Sequence, residues 1–369
     1  MKICYLADHG SIHTQRWLKY FAEAGHEIFL LPNSEADINL ENVTLLDTLP
    51  KLSYKSISFF STLSKAKSII KKVRPDILHA HFVEQFGWLA ALIDYHPFVL
   101  TAWGTDIFKL PYDSRLGIGK QLTRYALKKA DMMTAISEDL KNNMVKLGAK
   151  KENITIIHWG VDLNKFKPDL NVNEIKNKLG INGNPVILSN RYFEKHYNID
   201  IIVRAFARVL QKKPDAILLL QNPGGRLKEF IEMLIHDLGI SKSVRHLPRY
   251  NHSEMSALYA IADIYVTVPS WDAAGISLTE AMACGAVPII SDVRGPMEWV
   301  TDDYNGRVVP IRNTEALADA ICDLIQNSEK RKQFRNRNLD LIQKKGDQNY
   351  WMEKMNDHYQ RLLMKYQSN

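Results

Sequence analysis

Short apolar runs alternate with longer amphipathic segments along the whole 369-residue chain, and this alternation restricts it to a layered α/β fold. The pattern is typical of parallel β-strands joined by crossover helices. The first series predicts strands at Ile3–Ala7, Glu27–Leu31, Ile77–Ala80, Phe98–Thr101, Met132–Ala135 and Ile154–His158. A second series predicts strands at Val186–Ser189, Ala216–Gln221, Ser243–Leu247, Ile264–Val268, Val287–Ser291 and Arg307–Val309.

The two series predict two doubly wound, Rossmann-like domains. A chain of this length is too long for one ordinary core and suits two domains of roughly 150–180 residues each. The Asn- and Gly-rich segment Asn171–Pro185 is predicted to connect them. Doubly wound domains bind their ligands at the carboxyl ends of the strands. If those ends face each other, the ligand lies in a cleft between the domains, so we expect the chemistry in the loops that follow the strands.

Composition favours a protein made and kept inside the cell. The hydrophobic fraction of 46% and charged fraction of 24% argue against disordered and fibrous architectures. Three widely spaced cysteines form neither a metal motif nor a disulfide framework, and no apolar run suits a signal peptide or a membrane span, so a cytoplasmic location is expected. The net charge of +7 suits a diphosphate ligand or an anionic membrane surface, with a plain lysine-rich surface as the alternative. No zinc-finger or RNA-binding pattern occurs, so nucleic acid is not an expected partner.

The most informative segment is Pro269–Gly285, which follows a predicted strand and enters a helix. Free N–H groups and the positive end of the dipole at such a helix start form an anion site suited to a diphosphate. Two carboxylates, Asp272 and Glu280, flank this site, where they can accept hydrogen bonds from sugar hydroxyls. The alternative for Glu280 is a capping box with Ser277, since Ser-x-x-Glu is typical of that motif.

This segment resembles the acidic-x7-Glu signature of the large group of retaining GT-B glycosyltransferases often called family 4. Asp272 stands at the first acidic position, and Glu280 and the residues that follow match the rest almost letter for letter. Gly160–Pro168 is similar to the segment by which the family leaves its N-terminal domain, and Ser189–Lys195 to its Arg-x-x-x-Lys pair. The motifs occur in the family's order, and the similarity spans nearly the whole chain.

The resemblance implies a GT-B fold with two Rossmann-like domains and a C-terminal helix that crosses back to the first. It implies an acceptor-binding domain at residues 1–170 with 347–369, and a nucleotide-sugar-binding domain at 184–346. Arg191 and Lys195 would clamp the diphosphate and neutralise the charge on the leaving nucleotide. Glu280 would hold the ribose hydroxyls and Asp272 the donor sugar, with help from the N–H groups of Gly275, Ile276 and Ser277. Arg191, Lys195 and Asp272 are thus the predicted catalytic residues.

No metal or other cofactor is expected. The sequence contains no Asp-x-Asp triplet, the motif by which the other common transferase fold holds Mg²⁺ or Mn²⁺ on the diphosphate. Two basic residues are offered instead, which favours metal-independent chemistry.

Several residues of the first domain are predicted to touch the substrates. Gly10 and Ser11 open a helix after the first strand and would bind donor phosphate. The predicted acceptor-binding residues are His13, His81, Trp103 and Asp106. For His13 a capping or packing role is the alternative. His79 and His81 share one face of a strand and could form a metal pair, although no third ligand is evident.

Trp103 departs from the family, which usually has a histidine beside the donor sugar at this position. We expect the C6 region of the sugar to meet a flatter, more apolar surface. Asp272 in place of the usual glutamate, with Ala273-Ala274 in place of Gly-Phe, leaves the donor sugar open.

The predicted function is a retaining transfer of a hexose-type sugar from a UDP- or GDP-linked donor to a glycan or lipid-linked acceptor, in surface polysaccharide or glycoconjugate biosynthesis. A nucleotide-sugar epimerase and an inactive nucleotide-sugar-binding homologue are the alternatives. The basic, partly apolar stretch Lys51–Arg74 could lie on an anionic membrane at the inner face of the cytoplasmic membrane. The favoured alternative is a crossover helix that packs its apolar side on the sheet.

Overall fold

A computed structural model describes residues 1–34, 40–49, 58–109, 117–221, 224–248 and 250–368, without the side chains at 58, 59 and 253. The chain forms two compact units. Unit 1 consists of Met1–His158 together with Tyr350–Asn369, and unit 2 of Trp159–Asn349. Each unit is a parallel β-sheet with helices, which confirms the predicted pair of Rossmann-like domains.

The described part of unit 1 contains a seven-stranded parallel sheet of order β3-β2-β1-β4-β5-β6-β7. Its strands are β1 Lys2–Leu6, β2 Glu27–Leu31, β3 Val43–Leu45, β4 Ile77–His81, β5 Phe98–Thr101, β6 Met132–Ala135 and β7 Ile154–Ile156. Its helices are α1 Ile12–Glu23, α2 Ser58–Val73, α3 Trp88–Ile93, α4 Thr105–Phe108, α5 Ile118–Lys129 and α6 Glu138–Lys146. The strands β4, β5 and β6 are buried at every position and are mostly apolar, with His79, His81, Thr101 and Thr134 as their polar residues.

Unit 2 contains, among its described residues, a six-stranded parallel sheet of order β10-β9-β8-β11-β12-β13. Its strands are β8 Val186–Ser189, β9 Ile217–Gln221, β10 Val244–Leu247, β11 Ile264–Thr267, β12 Val287–Ser291 and β13 Arg307–Val309. Its helices are α7 Asn173–Leu179, α8 Ile199–Lys212, α9 Lys228–Asp237, α10 His252–Ile261, α11 Ile276–Ala283, α12 Arg294–Met297, α13 Thr314–Gln326 and α14 Ser328–Lys345. The chain then continues into α15 Gln348–Gln367.

The structure differs from the sequence analysis at two connections. The predicted connector Asn171–Pro185 contains α7, which ends at Gly180 in the left-handed conformation (φ 66°). Residues 159–170, assigned above to the first domain, belong to unit 2, where Val161 pairs with Asp347 and Phe166 lies in the core. The strand β3 had no prediction because it has only three residues and two of them are exposed.

The C-terminal helix crosses back to unit 1, as predicted. Tyr359 of α15 is fully buried, and its hydroxyl lies 3.1 Å from Tyr5 Oη and 2.5 Å from His79 Nδ1. At the surface, Asn356 Oδ1 lies 2.9 Å from His26 Nε2. These contacts join the last helix to the first strands of the same unit. Among the described residues, no helix combines the length and the apolar character that crossing a membrane requires.

Candidate functional site

The loop after β11 begins the site in unit 2. It enters α11 through Gly275, whose φ of 66° is the left-handed conformation that glycine adopts without strain. A side chain at Gly275 would also meet Asp272 Oδ2 at 3.4 Å. No side chain caps this helix start, so the N–H groups at its N-terminus lack the usual side-chain acceptor. The loop therefore presents a helix N-terminus beside a carboxylate, as the sequence predicts.

The capping-box alternative for Ser277 and Glu280 is wrong, because Gly275 occupies the N-cap position. Ser277 Oγ instead accepts a hydrogen bond from Arg191 Nη1 at 3.0 Å. The Glu280 carboxylate lies 2.8 Å from His252 Nε2 and 3.4 Å from Tyr259 Oη. Both side chains thus face partners on other elements of unit 2.

Arg191 follows β8, and its side chain contacts both the loop that carries Asp272 and the first turn of α11, which carries Ser277. Its Nη2 donates to Asp272 Oδ2 at 2.5 Å, while Nη1 reaches Ser277. The guanidinium also lies over the ring of Tyr197, 4.3 Å from the centroid. Burial opposes the charge on this group, but the neighbouring Asp272 carboxylate and tyrosines raise the pKa of Arg191 above its ordinary value. The fixed positive charge is therefore retained in a nearly closed environment.

Lys195 stands apart from this cluster. It begins the short turn Lys195–Tyr197, and its side chain is exposed. Within the described ranges its ammonium group makes no hydrogen bond or ion pair, although its backbone carbonyl accepts from the N–H of Asn198 at 3.4 Å. The second member of the predicted clamp thus has its charge in solvent, and its role stays a prediction.

The predicted residues of unit 1 gather at the carboxyl ends of β1, β4 and β5. The rings of His13 and Trp103 meet edge to face with centroids 5.7 Å apart, and those of His81 and Trp103 with centroids 6.2 Å apart. His81 is 1% exposed, and neither ring nitrogen has a hydrogen-bond partner among the described residues. Burial lowers the pKa of His81 to about 3, so the imidazole is neutral at physiological pH.

His79 is unsuited to the metal pair considered above. Its Nδ1 lies 2.5 Å from Tyr359 Oη and its Nε2 lies 2.7 Å from Thr101 Oγ1. Both nitrogens are therefore engaged in hydrogen bonds of the core of unit 1. We assign His79 to the structure of the sheet and to the docking of α15.

Gly10 and Ser11 lie where the sequence predicts, but their polar groups have local partners. The N–H of Gly10 donates to Asp8 Oδ1 at 2.9 Å. Ser11 is the N-cap of α1 and its Oγ accepts from the N–H of His13 at 3.3 Å. A phosphate at this helix start would have to displace the Asp8 carboxylate from Gly10.

Asp106 is fully buried, so its carboxylate has no surface through which an acceptor could contact it. It accepts hydrogen bonds from the backbone N–H groups of Val83 at 2.7 Å, Gly104 at 2.8 Å and Trp103 at 3.1 Å. The carboxylate thus shapes the turn that carries Trp103. Burial raises the pKa of Asp106 to about 6, although these amides act in the opposite direction.

This raised pKa predicts a pH dependence of stability. Because the folded carboxyl keeps its proton to a higher pH than the unfolded one, the folded state binds more protons between about pH 4 and 6. The free energy of unfolding should therefore fall as the pH rises through this range, by up to about 3 kcal/mol from this group. Denaturant unfolding from pH 4 to 7, of the wild type and of Asp106→Asn, isolates the effect. A difference between the two proteins that does not change with pH contradicts it.

Comparison with known proteins decides the family. Residues 171–340 match the model described as glycosyl transferases group 1, and residues 2–137 match the one described as glycosyl transferase 4-like. The chain belongs to the group 1 glycosyltransferases. N-acetyl-alpha-D-glucosaminyl L-malate synthase of Bacillus anthracis is 27% identical over 84% of this chain and 83% of its own. D-inositol 3-phosphate glycosyltransferase of Mycobacteroides abscessus is 28% identical over 73% of this chain and 62% of its own.

A solved structure supports the fold of this glycosyltransferase. Anabaena HepE, solved in complex with UDP and glucose, superimposes with a TM-score of 0.84 over 98% of this chain and 100% of its own, at 17% identity. This similarity confirms the two-domain GT-B fold, and the two family models confirm the family that the sequence analysis predicts.

Four residues of the glycosyltransferase site were missed by the sequence analysis. His252 and Tyr259 contact Glu280, and Tyr265 contacts Ser277. Asn190 joins the two tyrosines. Asn190 directly follows β8, His252 and Tyr259 lie in α10, and Tyr265 lies in β11, and in the sequence all four resemble ordinary core or surface residues. The only local signal was the position of Asn190 beside Arg191. The contacts depend on which strands and helices are neighbours, which one sequence does not reveal.

Proposed function

We propose that this glycosyltransferase moves a hexose-type sugar from a nucleotide diphosphate sugar to a glycan or lipid-linked acceptor, with retention of the anomeric configuration. The observation that carries the proposal is that the Arg191 guanidinium donates hydrogen bonds to both Asp272 and Ser277, beside the N-terminus of α11. A buried cation and a helix start together suit a diphosphate. The two carboxylates of the family signature, Asp272 and Glu280, would accept hydrogen bonds from hydroxyls of the donor.

Bond breaking would place new negative charge on the departing diphosphate, and Arg191 would stabilise it. A preorganised cation acts on charge that develops in the transition state, and one such group contributes about 3–4 kcal/mol. In the proposed scheme the departing phosphate accepts the proton of the acceptor hydroxyl. No side chain then needs to act as nucleophile, and Asp272 would orient the sugar through its hydroxyls. Cationic side chains would do the work that a divalent ion does in other transferases.

The nucleotide is proposed to be UDP, with GDP as the second candidate. The support is that HepE, of the same fold, is described in complex with UDP and glucose. The acceptor would meet the edge of unit 1 where His13 and Trp103 lie. The predicted acceptor residue His81 is 1% exposed, so it would pack against Trp103 without contacting the acceptor. The relatives named above are an N-acetyl-alpha-D-glucosaminyl L-malate synthase and a D-inositol 3-phosphate glycosyltransferase, so small acidic hydroxyl compounds belong in the acceptor panel beside glycans and lipid-linked sugars. A place in surface polysaccharide or glycoconjugate biosynthesis completes the proposal.

A donor screen tests the proposal and its alternatives. Purified protein is incubated with UDP-, GDP- and ADP-sugars and the acceptor panel, with and without a chelator, and nucleotide release and products are recorded. We expect transfer with retained configuration and the same rate in the chelator. Epimerisation without transfer would identify an epimerase, and binding without turnover an inactive homologue. Loss of turnover in the chelator would overturn the metal-independent mechanism.

We also propose that unit 1 makes peripheral contact with an anionic membrane. Helices α2 and α5 both pack against α3, and neither contains an acidic residue. Thr62, Ala66 and Ile70 of α2 are buried, so the crossover-helix alternative holds for its apolar side while its cations stay outside. Residues 51–57 of the basic stretch lie outside the described residues. The cations of the two helices are Lys65, Lys67, Lys71, Lys72, Lys120, Arg124, Lys128 and Lys129.

An apolar groove adjoins this basic surface. It has a volume of about 840 Å³ and runs between α5 and the end of α6. Its apolar lining includes Leu92, Leu122 and Leu147, and Ile118 at its edge is 43% exposed. Arg124, Lys128 and Lys146 line it as well. An apolar groove with basic residues suits an amphiphile with an anionic head group, which accords with a lipid-linked acceptor.

Vesicle binding tests the membrane proposal. We expect the protein to sediment with vesicles containing anionic lipid, less so at high salt, and not with neutral vesicles. Lys71→Glu combined with Lys128→Glu should weaken this binding at least about tenfold, since each cation near such a surface contributes about 1 kcal/mol. The control, Lys178→Glu with Lys332→Glu, makes the same charge change on exposed lysines of unit 2. Equal losses in both double variants would show that net charge alone is responsible.

A further inference from the structure

An unbroken chain of side-chain hydrogen bonds joins the two ends of the proposed donor site in unit 2. From Arg191 it passes to Ser277 Oγ at 3.0 Å, and Ser277 Oγ lies 2.9 Å from Tyr265 Oη. Tyr265 Oη lies 2.7 Å from Asn190 Oδ1. On the other side of the amide, Asn190 Nδ2 donates to Tyr259 Oη at 2.7 Å, and Tyr259 Oη lies 3.4 Å from Glu280 Oε2.

Counting protons fixes the direction of this chain. An arginine only donates, a carboxylate only accepts, and each tyrosine has one proton to give. Asn190 Oδ1 accepts the proton of Tyr265, so the Ser277 hydroxyl must donate to Tyr265 Oη. Asn190 Nδ2 donates to Tyr259 Oη, which leaves the proton of Tyr259 for the Glu280 carboxylate. All donors therefore point from Arg191 towards Glu280.

The orientation of the Asn190 amide is the point on which this direction depends. If the amide turned over, its oxygen would accept the proton of Tyr259, and Glu280 would lose that donor. The Glu280 carboxylate disfavours this because it only accepts and needs the proton of Tyr259, and in the unturned orientation the hydroxyl of Tyr265 donates to Asn190 Oδ1. Tyr259 is 1% and Tyr265 0% exposed, so water has no access to replace either partner. Burial raises the pKa of Tyr265 to about 12 and that of Tyr259 well above its ordinary value, so both hydroxyls keep their protons.

We infer that Asn190, Tyr259 and Tyr265 are positioning residues that fix the Glu280 carboxylate for the ribose hydroxyls and tie its orientation to the Arg191 end of the site. This inference rests on the proposed function, since it assigns Glu280 to the ribose. His252 Nε2, 2.8 Å from Glu280 Oε1, holds the other oxygen of the carboxylate. With both oxygens held, the Glu280 carboxylate would meet the 2′ and 3′ hydroxyls without reorganisation on binding.

The test compares two nucleotides that differ only at the ribose. Dissociation constants for UDP and 2′,3′-dideoxy-UDP, or the GDP pair if GDP binds more tightly, give a ribose preference for each variant. Tyr259→Phe should reduce this preference about fivefold to tenfold, because one hydrogen bond to the carboxylate is lost. The affinity for the dideoxy nucleotide should stay at the wild-type value. Tyr304→Phe, at a 55% exposed tyrosine of the same unit, is the matched control.

The variant Tyr265→Phe tests whether the hydrogen-bond chain acts on Glu280 as a connected unit or only through the local contact of Tyr259 with Glu280. No hydrogen bond joins Tyr265 to Glu280 among the described residues, yet its removal frees the Asn190 amide to turn over. We expect this variant also to lower the ribose preference, by about threefold or more. An unchanged preference in Tyr265→Phe, or equal losses for both nucleotides in Tyr259→Phe, would overturn the inference. Failure of the wild type to bind either nucleoside diphosphate would instead count against the proposed function.

Discussion

Arg191→Met is expected to lower kcat by about 10²–10³-fold, because it removes the nearly buried cation that we propose stabilises the departing diphosphate. The variant also leaves Asp272 without its partner at 2.5 Å, so a carboxylate would face the diphosphate unneutralised. Repulsion between the two anions should raise the KM for the donor as well. Steady-state kinetics on the donor found by the screen measure both effects.

Two further variants make the Arg191 prediction specific. Arg191→Lys keeps the charge but cannot reach Asp272 and Ser277 with two nitrogens at once, so it should recover only part of the activity. Arg208→Met removes an exposed guanidinium that pairs with Glu315 on the surface, and it should behave as the wild type. Full activity in Arg191→Met would refute the proposed electrostatic mechanism. An equally large loss in Lys195→Met would support the predicted two-residue clamp, in which Lys195 contacts the diphosphate only when the donor is bound.

The layered fold was predictable because its signal is local. Buried parallel strands such as β5, β6 and β8 are short apolar runs, and the prediction matched their bounds residue for residue. The same holds for the loop before α11, since a glycine with positive φ before a helix start is a feature of a few consecutive residues. The short strand β3 and the helix α7 were not predicted because neither has a buried apolar run.

The residues of the candidate site were predictable only where the sequence matches the signature of the family. Asp272 and Glu280 were indicated by their positions beside a predicted helix start, and the roles of both and of Arg191 came from the resemblance to the family. Nothing in the sequence indicated that Tyr259 and Tyr265 would bracket Asn190, because their neighbourhood arises from the strand order β9-β8-β11. Asp106 shows the opposite failure, since a polar residue in a functional loop proved to be fully buried and bound to backbone amides.

Glu280→Gln is expected to raise the KM for the donor about 30-fold while changing kcat much less. A carboxylate accepts hydrogen bonds from both ribose hydroxyls, and each such charged bond contributes about 1.5–3 kcal/mol. The amide keeps the shape but offers one acceptor oxygen, and its NH₂ group would face either His252 Nε2 or Tyr259 Oη as a second donor. Because the ribose is remote from the breaking bond, the loss should appear as uniform binding energy.

Ribose-modified nucleotides distinguish this role for Glu280 from a general loss of structure. With 2′,3′-dideoxy-UDP, or its GDP counterpart, the wild type and Glu280→Gln should bind about equally, since the hydroxyls that Glu280 would hold are absent. Glu232→Gln changes an exposed glutamate of α9 in the same way and should leave both affinities at wild-type values. A loss in Glu280→Gln that persists with the dideoxy nucleotide would mean that the carboxylate supports the fold of the site and does not contact the ribose. A fall in kcat with an unchanged KM would place Glu280 at the reacting sugar, and the assignments of the two signature acids would then have to be exchanged.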